Sequence, residues 1–133
     1  MPSLENIYLG NPNLKKANTP IEFTQEQILE FVACRHDPVY FAEKYIKIVT
    51  LDHGLQPFAM YDFQKKLIEN FHENRFNICK MPRQTGKSTT VVSYLLHYAV
   101  FNDNVNIAIL ANKASTARDL LGRLQLAYEN LPK

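Results

Sequence analysis

The chain has 133 residues, of which 46% are hydrophobic, enough for one small core and not for two. Its 15 basic and 13 acidic residues give a formal net charge of +2, which neither favours nor excludes a nucleic-acid partner. Two cysteines are too few for a disulfide framework or a zinc knuckle, and the longest apolar run is too short to span a bilayer. The sequence shows no basic-then-apolar signal pattern, so we expect a reducing cytoplasm by default.

The first part of the chain predicts an arm and then a helix. Residues 1–22 are rich in Asn, Pro and Lys, which favours a flexible, extended arm. Thr24 and Gln27 have the spacing of a capping box, which predicts that a helix begins there and covers 25–35. We assign 23–56 to a small helical N-terminal subdomain.

The same subdomain contains a second helix start and a short strand. Asp37 followed by Pro38 pairs a polar cap with a proline in the first turn. The run 46–51 is rich in β-branched residues, and Asp-His-Gly at 52–54 predicts the turn that closes it.

Residues 57–133 alternate between helical and strand-like patterns. The predicted order is helix 62–73, strand 75–80, helix 87–101, strand 105–111 and helix 115–130. Nearly unbroken β-branched and aliphatic residues in the second strand indicate burial on both faces, and Cys79 in the first strand is expected to be buried. The alternation predicts an α/β fold, a RecA-like P-loop NTPase with a parallel sheet that is incomplete here and is preceded by the helical N-terminal region.

Residues 81–89, Met-Pro-Arg-Gln-Thr-Gly-Lys-Ser-Thr, lie between the first predicted strand and the helix after it. Strand, glycine-bearing loop and Lys-Ser at a helix start is the layout of a phosphate-binding P-loop. Gly86 lets the backbone approach phosphate oxygens, and Lys87 is placed to reach the β- and γ-phosphates. The Ser88 hydroxyl can occupy one corner of an octahedral Mg²⁺ site.

The loop departs from the full P-loop pattern because Met81 stands where the pattern has glycine. Arg83 is unusual inside such a loop; its guanidinium can pair with phosphate in cis or serve a neighbouring subunit, or it is a solvated surface arginine. The loop residues predicted to bind nucleotide are Arg83, Gln84, Thr85, Gly86, Lys87, Ser88 and Thr89.

An acidic strand end, which a P-loop enzyme uses to hold Mg²⁺ during turnover, does not follow Lys87 in this sequence. The apolar run 105–111 leads into Asn112, and Asp119 and Glu129 fall in the predicted last helix. We therefore expect the chain to be the N-terminal piece of a longer motor enzyme, truncated before the acidic Mg²⁺-binding strand and catalytically incomplete alone.

Three segments together resemble the large terminase subunit of T-even-type tailed bacteriophages, the ATP-driven DNA-packaging motor. Tyr-Asp-Phe-Gln at 61–64 is similar to the adenine-binding element of that family, and Arg-Gln-Thr-Gly-Lys-Ser at 83–88 is similar to its loop, which lacks a leading glycine. Ile-Ala-Ile-Leu-Ala-Asn-Lys-Ala-Ser at 107–115 resembles its second strand and following loop. The resemblance covers about 25–133, weakly before 55.

The resemblance implies roles for residues ahead of the loop. Gln64 would hydrogen-bond the adenine edge, and Tyr61 or Phe63 would pack near the base. Lys87 and Arg83 would be the catalytic residues, with Arg83 sensing or stabilising the γ-phosphate. Phe63 stands where the family often has tyrosine, which keeps a stacking ring and removes a hydroxyl.

The resemblance also implies ATP and Mg²⁺ as cofactors and ATP hydrolysis, with an endonuclease domain elsewhere in the family, as the chemistry. The partners it implies are double-stranded DNA, the prohead portal protein and the small terminase subunit, in a ring oligomer without membrane contact. The location would be the host cytoplasm at the prohead portal, and not the mature virion. Two alternatives stay open, a helicase or related nucleic-acid remodeller, and a non-catalytic nucleotide-binding module.

Overall fold

A computed structural model describes residues 7–132, so residues 1–6 of the predicted arm and residue 133 lie outside it. The helices are α1 (Gln25–His36), α2 (Pro38–Tyr45), α3 (Asp62–Glu73), α4 (Lys87–Phe101) and α5 (Ala114–Glu129). The strands are β1 (Ile7–Tyr8), β2 (Asn11–Lys15), β3 (Lys47–Thr50) and β4 (Gly54–Pro57). None of the helices in this range is both long enough and apolar enough to cross a membrane.

The strands form two separate antiparallel hairpins. Leu9 and Gly10, with φ of 50° and 74°, make the β1–β2 turn, and two positive φ values suit the twist of a two-residue hairpin loop. This hairpin lies within the predicted arm, where Asn11 donates a hydrogen bond of 3.2 Å to Glu129 of α5. The predicted turn at 52–54 joins β3 to β4, and β4 itself was not predicted.

Local hydrogen bonds at the helix starts confirm the predicted caps. Gln27 N–H donates to Thr24 Oγ1 at 3.3 Å, and Thr24 N–H donates to Gln27 Oε1 at 2.9 Å. Asp37 Oδ1 accepts from Val39 N–H and Tyr40 N–H, both at 3.0 Å. Each bond satisfies a backbone donor that the first helical turn leaves without a partner, so short-range sequence signals set where α1 and α2 begin.

One hydrophobic core joins the helices and includes residues from both sides of the predicted boundary between 23–56 and 57–133. Ile68 of α3 and Leu96 of α4 are 0% and 1% exposed at its centre. The Phe101 ring lies 4.9 Å from that of Phe31 and 5.4 Å from that of Phe41 between centroids, which ties the end of α4 to α1 and α2. The full cluster is Cys34, Phe41, Ala42, Ile46, Phe58, Met60, Ile68, Leu96, Phe101 and Ala127.

Helices α3 and α4 run side by side in the same direction. The start of α3 touches the residue before α4, since Gln64 Nε2 lies 3.4 Å from Thr85 O. Further along, the rings of Phe71 and Tyr94 lie 5.6 Å apart between centroids. Contacts that advance together along both helices require a parallel pair, so the N-termini of α3 and α4 lie at the same end of the molecule.

The predicted RecA-like parallel sheet is wrong for the described residues. The strands there form only two-stranded antiparallel hairpins, and neither 75–80 nor 105–111 is a strand. No backbone–backbone hydrogen bond joins either segment to another part of the described chain. A strand requires a neighbouring backbone at about 4.8 Å, and local apolar character does not supply one.

Exposure in these two segments shows the same error. Phe76, Ile78 and Leu110 are 83%, 101% and 92% exposed, whereas strands buried on both faces would cover such side chains. Cys79, expected to be buried, is also exposed. Residues 74–86 join the end of α3 to the start of the parallel helix α4. The chain therefore returns along about 18 Å of helix, and the exposed segment 75–80 lies on that return.

His97 of α4 is a buried histidine at the contact between α4 and α1. It is 3% exposed, and its Nε2 lies 2.9 Å from the Cys34 carbonyl oxygen. A carbonyl can only accept, so Nε2 carries the proton of the neutral ring. Burial lowers the pKa of His97 below 6.5, although the bond to Cys34 acts to raise it.

We expect His97 to make folding stability depend on pH below neutrality. In the unfolded chain His97 takes up a proton near pH 6.5, whereas in the folded chain it does so only at lower pH. The contribution of His97 to the free energy of unfolding is therefore complete above pH 6.5 and declines below it, until the pH reaches the folded pKa. The decline is at most about 1.4 kcal/mol per pH unit. His97→Gln keeps a donor for Cys34 and cannot titrate, so urea unfolding between about pH 8 and pH 5.5 should show a smaller slope. The exposed His53→Gln is the control, and an equal slope in wild type and His97→Gln would contradict the assignment.

Candidate nucleotide-binding site

The candidate site begins with a curled loop, residues 81–86, that leads directly into α4. Gln84 and Gly86 both have left-handed backbones, with φ of 59° and 73°. Glycine adopts this conformation freely, whereas at Gln84 it carries strain of the kind found at functional loops. Thr85 Oγ1 donates to Pro82 O at 3.1 Å and closes the curl from within.

Lys87 folds back over the 81–86 loop. Its Nζ donates to the Met81 carbonyl oxygen at 3.3 Å, across the six residues of the curl. The side chain is half-buried, so the ammonium is held over the mouth of the loop. The geometry gives a fixed positive charge with backbone wrapped around it.

The first turn of α4 supplies further donors. Thr90 N–H makes the first helical bond, to Gly86 O at 3.0 Å, so the N–H groups of Lys87, Ser88 and Thr89 precede the helical ladder. The positive end of the helix dipole lies at the same point, and this turn carries no acidic side chain. Backbone donors, dipole and Lys87 together favour an anion with several oxygens.

Thr90 is a residue of this site that sequence reasoning did not single out. It is 0% exposed, and its Oγ1 donates to Gly86 O at 2.8 Å, in addition to the backbone bond. Two hydrogen bonds therefore hold the carbonyl of the left-handed glycine. The signal was a threonine four residues after Gly86, the spacing at which a hydroxyl bonds back to a helical carbonyl.

Gln64 is brought directly against the loop. It is 4% exposed; its Oε1 accepts from Tyr61 N–H at 2.9 Å and its Nε2 donates to Thr85 O at 3.4 Å. A Cβ placed on Gly86 would lie 2.5 Å from Gln64 Nε2, so the amide fills the space that glycine leaves. The resemblance implies that Gln64 hydrogen-bonds adenine, whereas in the structure its amide contacts the 81–86 loop.

Tyr61 and Phe63 form an exposed aromatic pair at the start of α3. Their ring centroids are 5.8 Å apart with an interplanar angle of 7°, and they are 71% and 43% exposed. Because Gln64 fastens this end of α3 to the loop, the pair lies at the same end of the molecule as Lys87. Their outer faces are open for stacking.

The remaining predicted site residues lie on the loop and the first helical turn. Arg83 is exposed with Gln84, whereas Ser88 and Thr89 are half-buried. Within 7–132, no group of three or more His, Cys, Asp or Glu side chains is arranged to hold a metal ion. Ser88 is therefore a single candidate ligand, which suits Mg²⁺ only where phosphate oxygens and water complete its shell.

A second polar cluster, around Glu30, lies apart from the loop. Glu30 Oε1 accepts hydrogen bonds from Lys44 at 2.6 Å, Tyr45 at 2.7 Å and Tyr40 at 2.9 Å. The bond from Lys44, with those from the two tyrosines, lowers the pKa of Glu30 to about 2. The cluster borders a cavity of about 550 Å³ between α1, α2 and the end of α4, and no lining residue belongs to the 81–86 loop. It fastens α1 to α2.

No model of a known protein family matches the chain.

Proposed function

We propose that the chain binds the triphosphate of a nucleotide, ATP by resemblance, with the 81–86 loop and the first turn of α4. The observation that carries the proposal is Lys87 Nζ bonded to Met81 O across a loop with two left-handed residues. A polyphosphate entering this loop would exchange one carbonyl partner of Lys87 for charged oxygens. Hydrogen bonds to charged groups are the stronger kind, so that exchange is favourable.

Each loop residue has a proposed part in binding. The N–H groups of Gly86, Lys87, Ser88 and Thr89 would donate to phosphate oxygens, and Lys87 would neutralise the β- and γ-phosphates. Mg²⁺ would neutralise phosphate charge when bound, with the Ser88 hydroxyl as its protein ligand. The exposed Arg83 is free to reach the γ-phosphate or a neighbouring subunit.

The base is proposed to stack on the exposed aromatic pair. Tyr61 and Phe63 present parallel rings at the end of α3 that Gln64 holds against the loop. Stacking of a base on an aromatic side chain contributes about 1–3 kcal/mol and tolerates any base.

The wider role that we propose, the ATP-binding part of a terminase large subunit, is supported by the three sequence segments described above and by the local geometry of two of them. DNA, the portal protein, the small terminase subunit and a ring assembly at the prohead in the host cytoplasm belong to that proposal. Only the nucleotide-binding part of the proposal is independent of a parallel sheet, since the loop, Lys87 and the aromatic pair are carried by α3, α4 and their connection.

Titration of the chain with Mg-ATP and with magnesium tripolyphosphate tests the proposal. We expect both to bind, and Tyr61→Ala to weaken ATP about tenfold while leaving tripolyphosphate unchanged, since only ATP has a base to stack. Tyr128→Ala removes a similarly exposed tyrosine from α5 and should change neither affinity. Failure of wild type to bind tripolyphosphate would refute triphosphate binding, and equal losses for both ligands in Tyr61→Ala would refute base stacking.

A further inference from the structure

Gln64 is a buried side chain that joins two elements of the proposed site. We infer that it is a positioning residue, one that fixes the 81–86 loop for phosphate instead of reading the base. The inference rests on the proposed function. It is carried by two hydrogen bonds of Gln64 and by its fit against Gly86.

The two hydrogen bonds fix how the amide of Gln64 is turned. Tyr61 N–H can only donate, so the atom facing it at 2.9 Å is the carbonyl oxygen Oε1. The Thr85 carbonyl can only accept, so the atom facing it at 3.4 Å is the amide nitrogen Nε2. Reversing the amide would break both bonds, and a side chain only 4% exposed has little water to replace them.

The fit against Gly86 makes the contact a matter of shape as well as polarity. The amide nitrogen of Gln64 lies only 2.5 Å from where a Cβ on residue 86 would be, so the two atoms could not both be accommodated without a shift. The left-handed turn at Gly86, with φ of 73°, therefore rests directly on Gln64. Since this turn aims the N–H groups of Lys87 and Ser88, the position of Gln64 controls the phosphate-facing donors.

A positioning role makes a different prediction from a base-reading role. Loss of the loop contact weakens every ligand that uses the loop, with or without a base. Loss of a base contact weakens only ATP. The ratio of the two affinities therefore separates the roles.

The first test compares Gln64→Met with Gln27→Met. Both glutamines accept a hydrogen bond from a backbone N–H at 2.9 Å in a capping box, and Gln64 also contacts the loop. Each substitution keeps an unbranched, uncharged side chain and removes one capping bond, so Gln27→Met shows, at an exposed position, what loss of such a bond alone does to ligand binding. We expect Gln64→Met to weaken Mg-ATP and magnesium tripolyphosphate equally, by about fivefold, and Gln27→Met to weaken neither.

The second test needs no nucleotide. Gly86→Ala places a methyl group against Gln64, and Gln64→Ala removes the group it meets. We expect the double variant to be more stable in urea unfolding than the sum of the single variants predicts, because shortening Gln64 relieves the clash.

The possible outcomes distinguish a failure of the positioning role of Gln64 from a failure of the proposed triphosphate binding. Equal losses for both ligands with positive coupling to Gly86 support the inference. A loss for ATP alone would make Gln64 a base reader and overturn it while triphosphate binding stands. Additive stabilities would show that the contact is absent and overturn it as well. A wild-type chain that binds neither ligand would refute the proposed function, and the inference with it, whatever the coupling.

Discussion

Lys87→Ala should lower the affinity for Mg-ATP and for magnesium tripolyphosphate by at least about 100-fold, the largest effect that we expect from a single substitution. In the structure Lys87 Nζ donates to the Met81 carbonyl at 3.3 Å. With a triphosphate it would have two phosphate groups, and hydrogen bonds between charged groups are worth about 1.5–3 kcal/mol each. The unfolding free energy should fall only slightly, since the lost bond is long, at 3.3 Å, and the side chain is only half-buried.

Calorimetric titration of Lys87→Ala beside Lys80→Ala checks this expectation. The Lys80→Ala substitution removes the same charge from an exposed position just before the loop. It therefore controls for the general attraction between the protein and an anion. Affinity unchanged in Lys87→Ala, or reduced equally in both variants, would contradict a specific role for Lys87.

Gly86→Ala should damage both the fold and the binding site. Its φ of 73° is costly for alanine, and the added Cβ would lie 2.5 Å from Gln64 Nε2. Left-handed strain costs about 1–2 kcal/mol, and the displaced amide adds to it. Because either the Gln64 amide or the loop it holds must shift, we expect an unfolding free energy lower by about 2 kcal/mol and triphosphate affinity lower by about tenfold.

Other glycines of the chain separate the two contributions at Gly86. Gly54, with φ of 68° and open space around it, isolates the backbone strain, so Gly54→Ala should cost less than Gly86→Ala. Gly122 lies in α5 with open space and an ordinary φ, so Gly122→Ala should stabilise by about 0.5–1 kcal/mol. If Gly86→Ala behaved as Gly122→Ala does, the left-handed turn and the contact with Gln64 would both be wrong.

The helices of this protein were predictable because their signals are local. Thr24 and Gln27 accept from each other's backbone N–H groups, and Asp37 accepts from the N–H groups of the second and third residues after it, all within four residues. The periodic apolar side chains of α3 give the same range that the structure has, Asp62–Glu73. Information of this kind is present in the sequence before any tertiary contact forms.

The parallel sheet was predicted wrongly because strand pairing is not local. The apolar runs 75–80 and 105–111 have the composition of buried strands, yet no described backbone pairs with them. The composition of a segment indicates whether it can form a strand, but whether it does so depends on which other segment lies beside it. The hairpin strand β4 was overlooked for the complementary reason, since Gly-Leu-Gln-Pro has little strand character of its own.

The candidate site divides in the same way. Gly86, Lys87 and Ser88 could be predicted as candidates because the phosphate-binding pattern is defined by consecutive positions. The contact between Gln64 and the loop depends on α3 and α4 lying side by side and parallel, and both helices bury a residue, Ile68 and Leu96, in the same core. Sequence spacing placed Gln64 ahead of the loop, but which group its amide would face followed only from the packing.

Backbone amide NMR of the chain, titrated with magnesium tripolyphosphate, tests the central claim most directly. We predict large, saturable shifts of the N–H signals of Gly86, Lys87, Ser88 and Thr89, with small changes at the similar helix start of α5, at Lys113 and Ala114. Saturating shifts confined to the first set would show that this loop is the phosphate site. Unchanged signals at Gly86 to Thr89 in a folded sample, or equal shifts at both helix starts, would contradict the account.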